Sequence, residues 1–135
     1  MIHLIVDTDI VSYIFKWHPS APHYIELLAG NEVAISFVTP AEMRFGALEA
    51  GWGIRRTNLL ERFLSRFMVY YPDDRLCAVW AEIKHESNQK GHPISTHDAW
   101  IAATALNLRA ALFTNNTKHF AHLERLKLYG NTRSL

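Results

Sequence analysis

Short apolar runs alternate with segments of helical periodicity along the chain. Five apolar runs predict strands, the last of them an edge strand, at residues 2–6, 33–38, 68–71, 111–114 and 126–129. Apolar residues spaced three and four positions apart predict amphipathic helices at residues 10–15, 24–30, 59–67 and 76–83. Residues 98–106 are apolar nearly all round, which predicts a buried helix packed on a sheet.

Cap and turn residues set the expected boundaries of these elements. Thr39 and Pro40 predict a helix start, because Thr suits the cap position and Pro the first helical position. Gly91 and Pro93 are typical of the end of the helix before them. The alternation of strands and helices predicts one α/β domain over residues 1–135, in which helices flank a central, mainly parallel sheet.

Composition narrows the class of protein. Hydrophobic residues make up 49% of the chain and charged residues 20%, which is typical of a globular domain and excludes disorder. With 14 Lys+Arg against 13 Asp+Glu the net charge is +1, so any contact with nucleic acid must come from a local basic surface. We find neither a signal-peptide pattern nor a run near the roughly 20 apolar residues of a membrane helix. The expectation is a cytoplasmic protein that does not contact membranes.

Three acidic residues stand where a strand or loop gives way to a helix. Asp7 and Glu42 each follow a predicted strand, and Asp98 opens the predicted buried helix. In open α/β sheets the carboxyl ends of the strands frame the ligand crevice. Asp7, Glu42 and Asp98 are therefore candidates for one shared site.

Helix capping is the alternative explanation for these acids. The segment from Thr39 to Glu42 fits a capping box, the segment from Ser95 to Asp98 is a near match, and Asp7 fits an N-cap. Acids at helix N-termini also gain ~0.3–1 kcal/mol from the helix dipole. For Glu42 alone the cap is the stronger interpretation, whereas the three acids together favour a shared site.

Converging carboxylates would repel one another unless cations relieve the repulsion. Hard oxygen ligands select magnesium or manganese over zinc. Such a site activates water and stabilises both the attacking and the leaving oxygen of a phosphodiester. The acids therefore lead to a nuclease hypothesis.

Four segments, in this order along the chain, resemble motifs of the VapC-type PIN domains. They are LIVDTD at residues 4–9, SFVTPAEMRFGA at 36–47, GHPISTHDAWIAATA at 91–105 and FTNNTKHF at 113–120. The resemblance spans nearly the whole chain. It implies a PIN-like fold for residues 1–135, with Asp7, Glu42 and Asp98 as catalytic residues and as ligands of Mg²⁺ or Mn²⁺.

The same resemblance implies a substrate and partners. The substrate would be an RNA phosphodiester, cut by water, in an exposed loop of transfer RNA or ribosomal RNA, since such enzymes need unstacked bases. Family members are generally homodimers neutralised by a cognate antitoxin, so this chain would be the toxin of a type II toxin–antitoxin pair. The C-terminal part of the antitoxin would cover the active site.

Supporting residues and departures from the family pattern lie around the three acids. Thr8 and Asp9 are expected to support the site, although Asn is common at the position of Asp9. Asn115 and Asn116 stand where many PIN domains carry a fourth acid; an amide can ligate metal or orient water but adds no charge. Asn116 is thus a supporting candidate. Arg44, one turn beyond Glu42, either contacts substrate phosphate or is an ordinary surface residue.

Three rival functions remain open at this stage. In a phosphatase of the haloacid dehalogenase type Asp7 would attack phosphorus and Asp9 would act as acid and base, but Asp98 would have no role. A PIN-like binding module that does not cut RNA is supported by the missing fourth acid. Metal-free cleavage by histidine would leave cyclic phosphate ends.

His119 and His122 are three residues apart but lack further ligands for zinc.

Overall fold

The structure is a computed structural model that describes residues 1–130. The strands are β1 (Leu4–Val6), β2 (Val33–Ser36), β3 (Met68–Tyr70), β4 (Ala111–Thr114) and β5 (Leu128–Gly130). The helices are α1 (Thr8–Phe15), α2 (Ala21–Leu28), α3 (Val38–Glu49), α4 (Ile54–Leu64), α5 (Asp74–Gln89) and α6 (Thr96–Leu108). Within the described residues, no helix has the length and apolar character needed to cross a membrane.

The five strands form one sheet in the order β3-β2-β1-β4-β5. Every pair of neighbouring strands in this sheet is parallel. The predicted α/β class with a mainly parallel sheet is therefore confirmed, as is the edge position of the last strand. Because all five strands run the same way, their carboxyl ends lie along one edge of the sheet, with β1 at its centre.

Side chains alternate between two apolar cores on the two faces of the sheet. On β1, Leu4 and Val6 belong to one core and Ile5 belongs to the other. The core around Leu4 is covered by side chains of α1, α2, α3 and α4. The core around Ile5 is covered by α5 and α6. Helices thus cover both faces, as buried parallel strands require.

Helix α6 packs with a surface of alanines. Ala99, Ala102, Ala103 and Ala105 are all fully buried in the core that contains Ile5. Small side chains allow a helix to approach a sheet closely, and the tight packing leaves little freedom for α6 to shift. The first turn of α6 is therefore held at a fixed place beside the carboxyl edge of the sheet.

The expected end of β2 and the expected starts of α3 and α6 are wrong. The strand predicted at residues 33–38 ends at Ser36, and α3 already begins at Val38. Thr39 consequently lies inside the first turn of α3, and the cap position is taken by Phe37, which makes no side-chain cap hydrogen bond. Pro40 is tolerated there because the amides of a first helical turn have no partner within the helix. Helix α6 also begins two residues before Asp98, at Thr96.

The alanine packing of α6 leads to a test of the fold. Ala102→Leu should destabilise the protein by about 1–3 kcal/mol, because added methylenes in a well-packed core force neighbouring side chains and backbone to move. Ala81→Leu is the matched control, since Ala81 lies exposed on α5, and it should change stability by less than about 0.5 kcal/mol. Urea unfolding measures both. Equal stabilities of the two variants would contradict the packing described for α6.

Candidate active site

The three acids predicted from the sequence line one crevice at the carboxyl edge of the sheet. Asp7 follows β1, Glu42 lies on α3 and Asp98 lies on α6. The crevice has a volume of about 540 Å³. Its other lining residues are Thr8, Asp9, Ser12, Ser95, His97, Asn116 and His119.

Asp7 is the most buried of these carboxylates, with a relative exposure of 5%. Its Oδ1 accepts a hydrogen bond from the amide of Thr8 at 2.7 Å, which caps α1. Its Oδ2 accepts a hydrogen bond from the hydroxyl of Thr114 at 2.7 Å. Burial raises the pKa of Asp7 to about 6, and the charges of Asp98 and Glu42 add to the rise. Asp7 therefore caps a helix and also belongs to the acidic crevice.

Glu42 points away from its own helix and towards α1. Its Oε1 accepts a hydrogen bond from the Thr8 hydroxyl at 2.6 Å. The Thr8 oxygen lies 2.8 Å from the Thr39 oxygen; since Thr8 gives its single proton to Glu42, Thr39 donates to Thr8. The capping box expected between Thr39 and Glu42 is therefore wrong. The buried Thr39 instead supports the residue that holds Glu42.

Asp98 sits in the first turn of α6, where Ser95 is the cap. The Ser95 Oγ accepts a hydrogen bond from the Asp98 amide at 3.2 Å, so half of the near-match capping box is present. The Asp98 carboxylate contacts two imidazoles. Its Oδ1 lies 3.5 Å from His97 Nε2, and its Oδ2 lies 3.3 Å from His119 Nδ1. His97 Nε2 also lies 3.2 Å from Glu42 Oε2, so this ring bridges two of the acids.

Asp9 and Asn116 also line the crevice and contact each other. The Asp9 Oδ2 accepts hydrogen bonds from the Asn115 amide and from Asn116 Nδ2, each at 3.1 Å. Burial and, to a smaller extent, the neighbouring charge of Asp7 raise the pKa of Asp9 to about 7. Asn115 and Asn116 therefore place two neutral donors against Asp9, at the positions where the resemblance leads us to expect an acid.

Several residues of the site were not found from the sequence. Thr39, Thr114 and His119 touch the acids or their partners, but each lies far along the chain from the residue it contacts. The sequence did contain one indication of Thr114. It ends β4, and in a parallel sheet β4 can lie beside β1, which ends one residue before Asp7.

Arg44 lies outside the lining of the acidic crevice. Its guanidinium forms two hydrogen bonds with Glu61 of α4, at 2.8 and 2.9 Å, which link α3 to α4 at the surface. Contact of Arg44 with substrate phosphate stays a prediction. Arg55, Arg56, Arg62 and Arg66 line a separate groove next to α1 and α2.

The donors of the crevice fit a hard divalent cation by their chemistry. Four carboxylates line it, and no Lys or Arg is among the lining residues. Within residues 1–130, however, no three Asp, Glu, His or Cys side chains are already arranged to hold a metal ion. Each acid instead faces a neutral or imidazole partner, such as Thr114, Thr8, His97 or His119. A cation would stabilise the charged form of Asp7, whose pKa is raised by burial and by the charges of Asp98 and Glu42.

Known proteins match nearly the whole length of this chain. Residues 4–126 match the model of the PIN domain family. Ribonuclease VapC1 of Haemophilus influenzae is 32% identical over 129 residues, which cover 94% of this chain and 96% of that protein. The tRNA(fMet)-specific endonuclease VapC of Shigella flexneri is 28% identical, and its match covers 94% of this chain and 96% of the relative.

A solved structure shares the fold. The crystal structure of VapBC2 from Rickettsia felis, bound to a DNA fragment from its promoter, contains a chain with a TM-score of 0.84 and 32% identity. The match covers 96% of this chain and 98% of that one. These matches exclude the fold of a haloacid dehalogenase phosphatase, which Asp7 and Asp9 alone would have allowed. The chain belongs to the PIN-domain family, in which its relatives are the VapC ribonucleases.

Proposed function

We propose that this VapC-type PIN-domain ribonuclease cuts RNA internally with Mg²⁺ or Mn²⁺ bound by Asp7, Glu42 and Asp98. The observation that carries the proposal is the convergence of these acids, from three distant segments, on one crevice at the carboxyl edge of the sheet. The acids are hard oxygen donors, and the crevice lining contains no Lys or Arg that would neutralise them.

The reaction proposed is hydrolysis. The oxygen of water adds to phosphorus and the bond from phosphorus to the 3′-oxygen breaks, which leaves a 5′-phosphate and a 3′-hydroxyl. The divalent cation supplies positive charge for the attacking and leaving oxygens. Asp7 and Asp98 are its principal ligands, and Glu42 either joins them or orients the attacking water. Thr8 fixes the Glu42 carboxylate through its 2.6 Å hydrogen bond.

Asp9 and Asn116 take a supporting role in this proposal. Asn116 donates a 3.1 Å hydrogen bond to the Asp9 carboxylate. Asp9 lies close enough to Asp7 for the charge of Asp7 to raise the pKa of Asp9. Because Asn116 is neutral, this end of the crevice contributes less charge than a fourth acid would. A second tightly bound cation is therefore not part of the proposal.

The biological role proposed is that of the toxin in a type II toxin–antitoxin pair. The chain would act in the cytoplasm as a homodimer and be neutralised by a cognate antitoxin protein. A loop of transfer RNA is the favoured substrate, since the Shigella flexneri relative is named as specific for tRNA(fMet). A ribosomal RNA loop is the alternative, because both expose unstacked bases.

A binding module is the second candidate function. Asn115 and Asn116 in place of an acid favour it, since they lower the negative charge available for a cation. A binding module would hold RNA or a partner protein in the same crevice without cutting. Cleavage by the purified chain decides between the two functions.

Cleavage should depend on the cation and on Asp98. Total cellular RNA incubated with the purified chain and Mn²⁺ or Mg²⁺ should give discrete fragments, and EDTA should abolish them. Asp98→Asn should lower the rate roughly 10²–10³-fold, the scale of removing one electrostatic contact to a transition state. Asp74→Asn is the matched control, because Asp74 lies exposed in the first turn of α5.

Each other outcome of this experiment has a distinct meaning. No cleavage with any cation, from folded protein, would support the binding module. Cyclic phosphate ends that persist in EDTA would exclude hydrolysis and support cleavage by histidine. Sequencing the ends of the discrete fragments would identify the RNA and the position of the cut.

Thr8 should act by positioning Glu42. Thr8→Val removes the hydroxyl at nearly constant volume, and a lost hydrogen bond to a charged group costs ~1.5–3 kcal/mol, so kcat should fall roughly 10–150-fold. The KM for RNA should change little, and Thr8→Ser should restore most of the activity. Steady-state kinetics on one RNA measure kcat and KM separately. A purely structural role would instead show as a lower melting temperature with kcat unchanged.

The crowded acids should make the cation-free protein more stable at lower pH. In the fold the pKa of Asp7 is about 6 and that of Asp9 about 7, against 3.8 for the free groups. The folded state thus binds more protons than the unfolded state, and stability contributed by these groups rises as pH falls from about 7 to about 4.

Asp9→Asn tests this electrostatic strain. In EDTA at pH 7.5 it should raise the melting temperature by roughly 3–5 °C, which corresponds to about 1 kcal/mol in a domain of this size. It should also flatten the dependence of melting temperature on pH. Glu82→Gln is the matched control, because Glu82 is exposed in the middle of α5, and it should change neither quantity. A lower melting temperature for Asp9→Asn would contradict the strain.

A further inference from the structure

A second pocket, here termed the histidine pocket, adjoins the acidic crevice. It has a volume of about 380 Å³ and shares Ser95, Asp98 and His119 with the crevice. Apart from these shared residues, its lining has no acidic side chain. The side chains that distinguish it are His92, Lys118 and His122.

His92 and His122 form a fixed pair of rings at this pocket. Their centroids lie 5.4 Å apart and their planes differ by 19°, so the rings stack. His122 Nε2 lies 2.7 Å from the hydroxyl of Ser87, which is fully buried. The carbonyl of His122 accepts a hydrogen bond from Lys90 Nζ at 2.6 Å. Both the ring and the backbone of His122 are therefore anchored, while His92 is exposed.

The imidazoles of the pocket do not form a metal site. No group of His, Cys, Asp and Glu side chains in residues 1–130 is arranged to hold a metal ion. His122 Nε2 faces Ser87, and His119 Nδ1 lies 3.3 Å from Asp98 Oδ2, so these nitrogens face different protein partners. Imidazole rings that do not ligate metal can instead stack on an aromatic ligand, and the nearby Lys118 ammonium group can contact an anionic part of it.

Lys118 supplies a charge for such a ligand. It is exposed on the 3-10 turn Thr117–His119 and forms no ion pair in the described part of the chain. The acidic crevice beside it contains no Lys or Arg. The two adjoining cavities therefore differ in charge: four carboxylates and no Lys or Arg line the crevice, whereas one carboxylate, three imidazoles and one ammonium group line the histidine pocket.

We propose that the histidine pocket binds the RNA nucleotide next to the phosphodiester that is cut. This inference rests on the proposed function. The base stacks on the His92–His122 pair, as unstacked RNA bases do on aromatic rings, and Lys118 Nζ contacts a phosphate oxygen. A volume of about 380 Å³ lies within the range of about 300–1,000 Å³ seen for ligand sites.

Shared residues determine where this nucleotide lies along the RNA. Asp98 lines both cavities, so a nucleotide in the histidine pocket adjoins the phosphodiester held at the acidic crevice. The pocket thus fixes the place of one nucleotide beside the cut and accepts any base there, because stacking and a phosphate contact do not distinguish bases. It acts on substrate binding and leaves the chemical step to the acids.

The test uses a synthetic RNA stem–loop that carries the mapped cut site, with an abasic residue placed in turn at each position beside the cut. In the wild type one position should give a loss of kcat/KM of roughly tenfold, the scale of one lost base stack. His92→Ala should show a similar loss on intact RNA and no further loss from the abasic residue at that position. His92→Phe keeps a ring and should remain close to wild type.

Lys118→Gln tests the phosphate contact separately. The slope of log KM against log salt concentration should fall by about 0.7, as expected for one phosphate contact of a single strand. Lys127→Gln is the matched control, because Lys127 is exposed and lines neither cavity, and it should leave the slope unchanged.

Failure of this proposal is distinguishable from failure of the nuclease assignment. Absence of all cleavage would overturn the proposed function itself. Normal cleavage by His92→Ala and Lys118→Gln, with the abasic penalty intact, would overturn the nucleotide pocket alone. If these two variants cut RNA normally but escape inhibition by the antitoxin protein, the pocket binds a protein segment and not a nucleotide.

Discussion

A carboxylate buried at the end of the central strand constrains this whole edge of the molecule. Asp7 is 5% exposed, and a charge in that position is costly unless hydrogen bonds compensate it. Thr8 and Thr114 supply two of them, and both are neutral. They hold the carboxylate in place without cancelling its charge, so burial, together with the charges of Asp98 and Glu42, raises the pKa of Asp7.

The neighbouring side chains are arranged in the same way. Glu42 accepts a hydrogen bond from the Thr8 hydroxyl, which in turn accepts one from Thr39. Asp9 accepts hydrogen bonds from three amide groups. Imidazoles are the only basic groups that line the crevice in the described residues. An arginine here would pair with the acids permanently; hydroxyls and amides orient them and leave them able to bind a cation. By contrast, Arg44 and Glu61 form an ion pair at the surface, where it links two helices outside the crevice.

The sequence was sufficient for the elements of the fold and for the grouping of Asp7, Glu42 and Asp98, for physical reasons. Periodicity reports which segments are buried, and parallel strands bring their carboxyl ends to one edge. The sequence was insufficient to predict which way the Glu42 side chain points. Its carboxylate accepts a hydrogen bond from Thr8, which is 34 positions away in the chain, and not from the N-terminus of its own helix. The early start of α3 was missed for the same reason. The Thr39 hydroxyl contacts the Thr8 hydroxyl in the site, and the cap preferences of neighbouring residues contain no information on that distant contact.

His119 links the two cavities that adjoin at Asp98. It lines both of them, and its Nδ1 lies 3.3 Å from Asp98 Oδ2. Any displacement of this ring by a ligand in the histidine pocket removes one partner of the Asp98 carboxylate. The buried alanines of α6 pack against the sheet and oppose a shift of this helix. A ligand in the histidine pocket would therefore act on Asp98 through the side chain of His119.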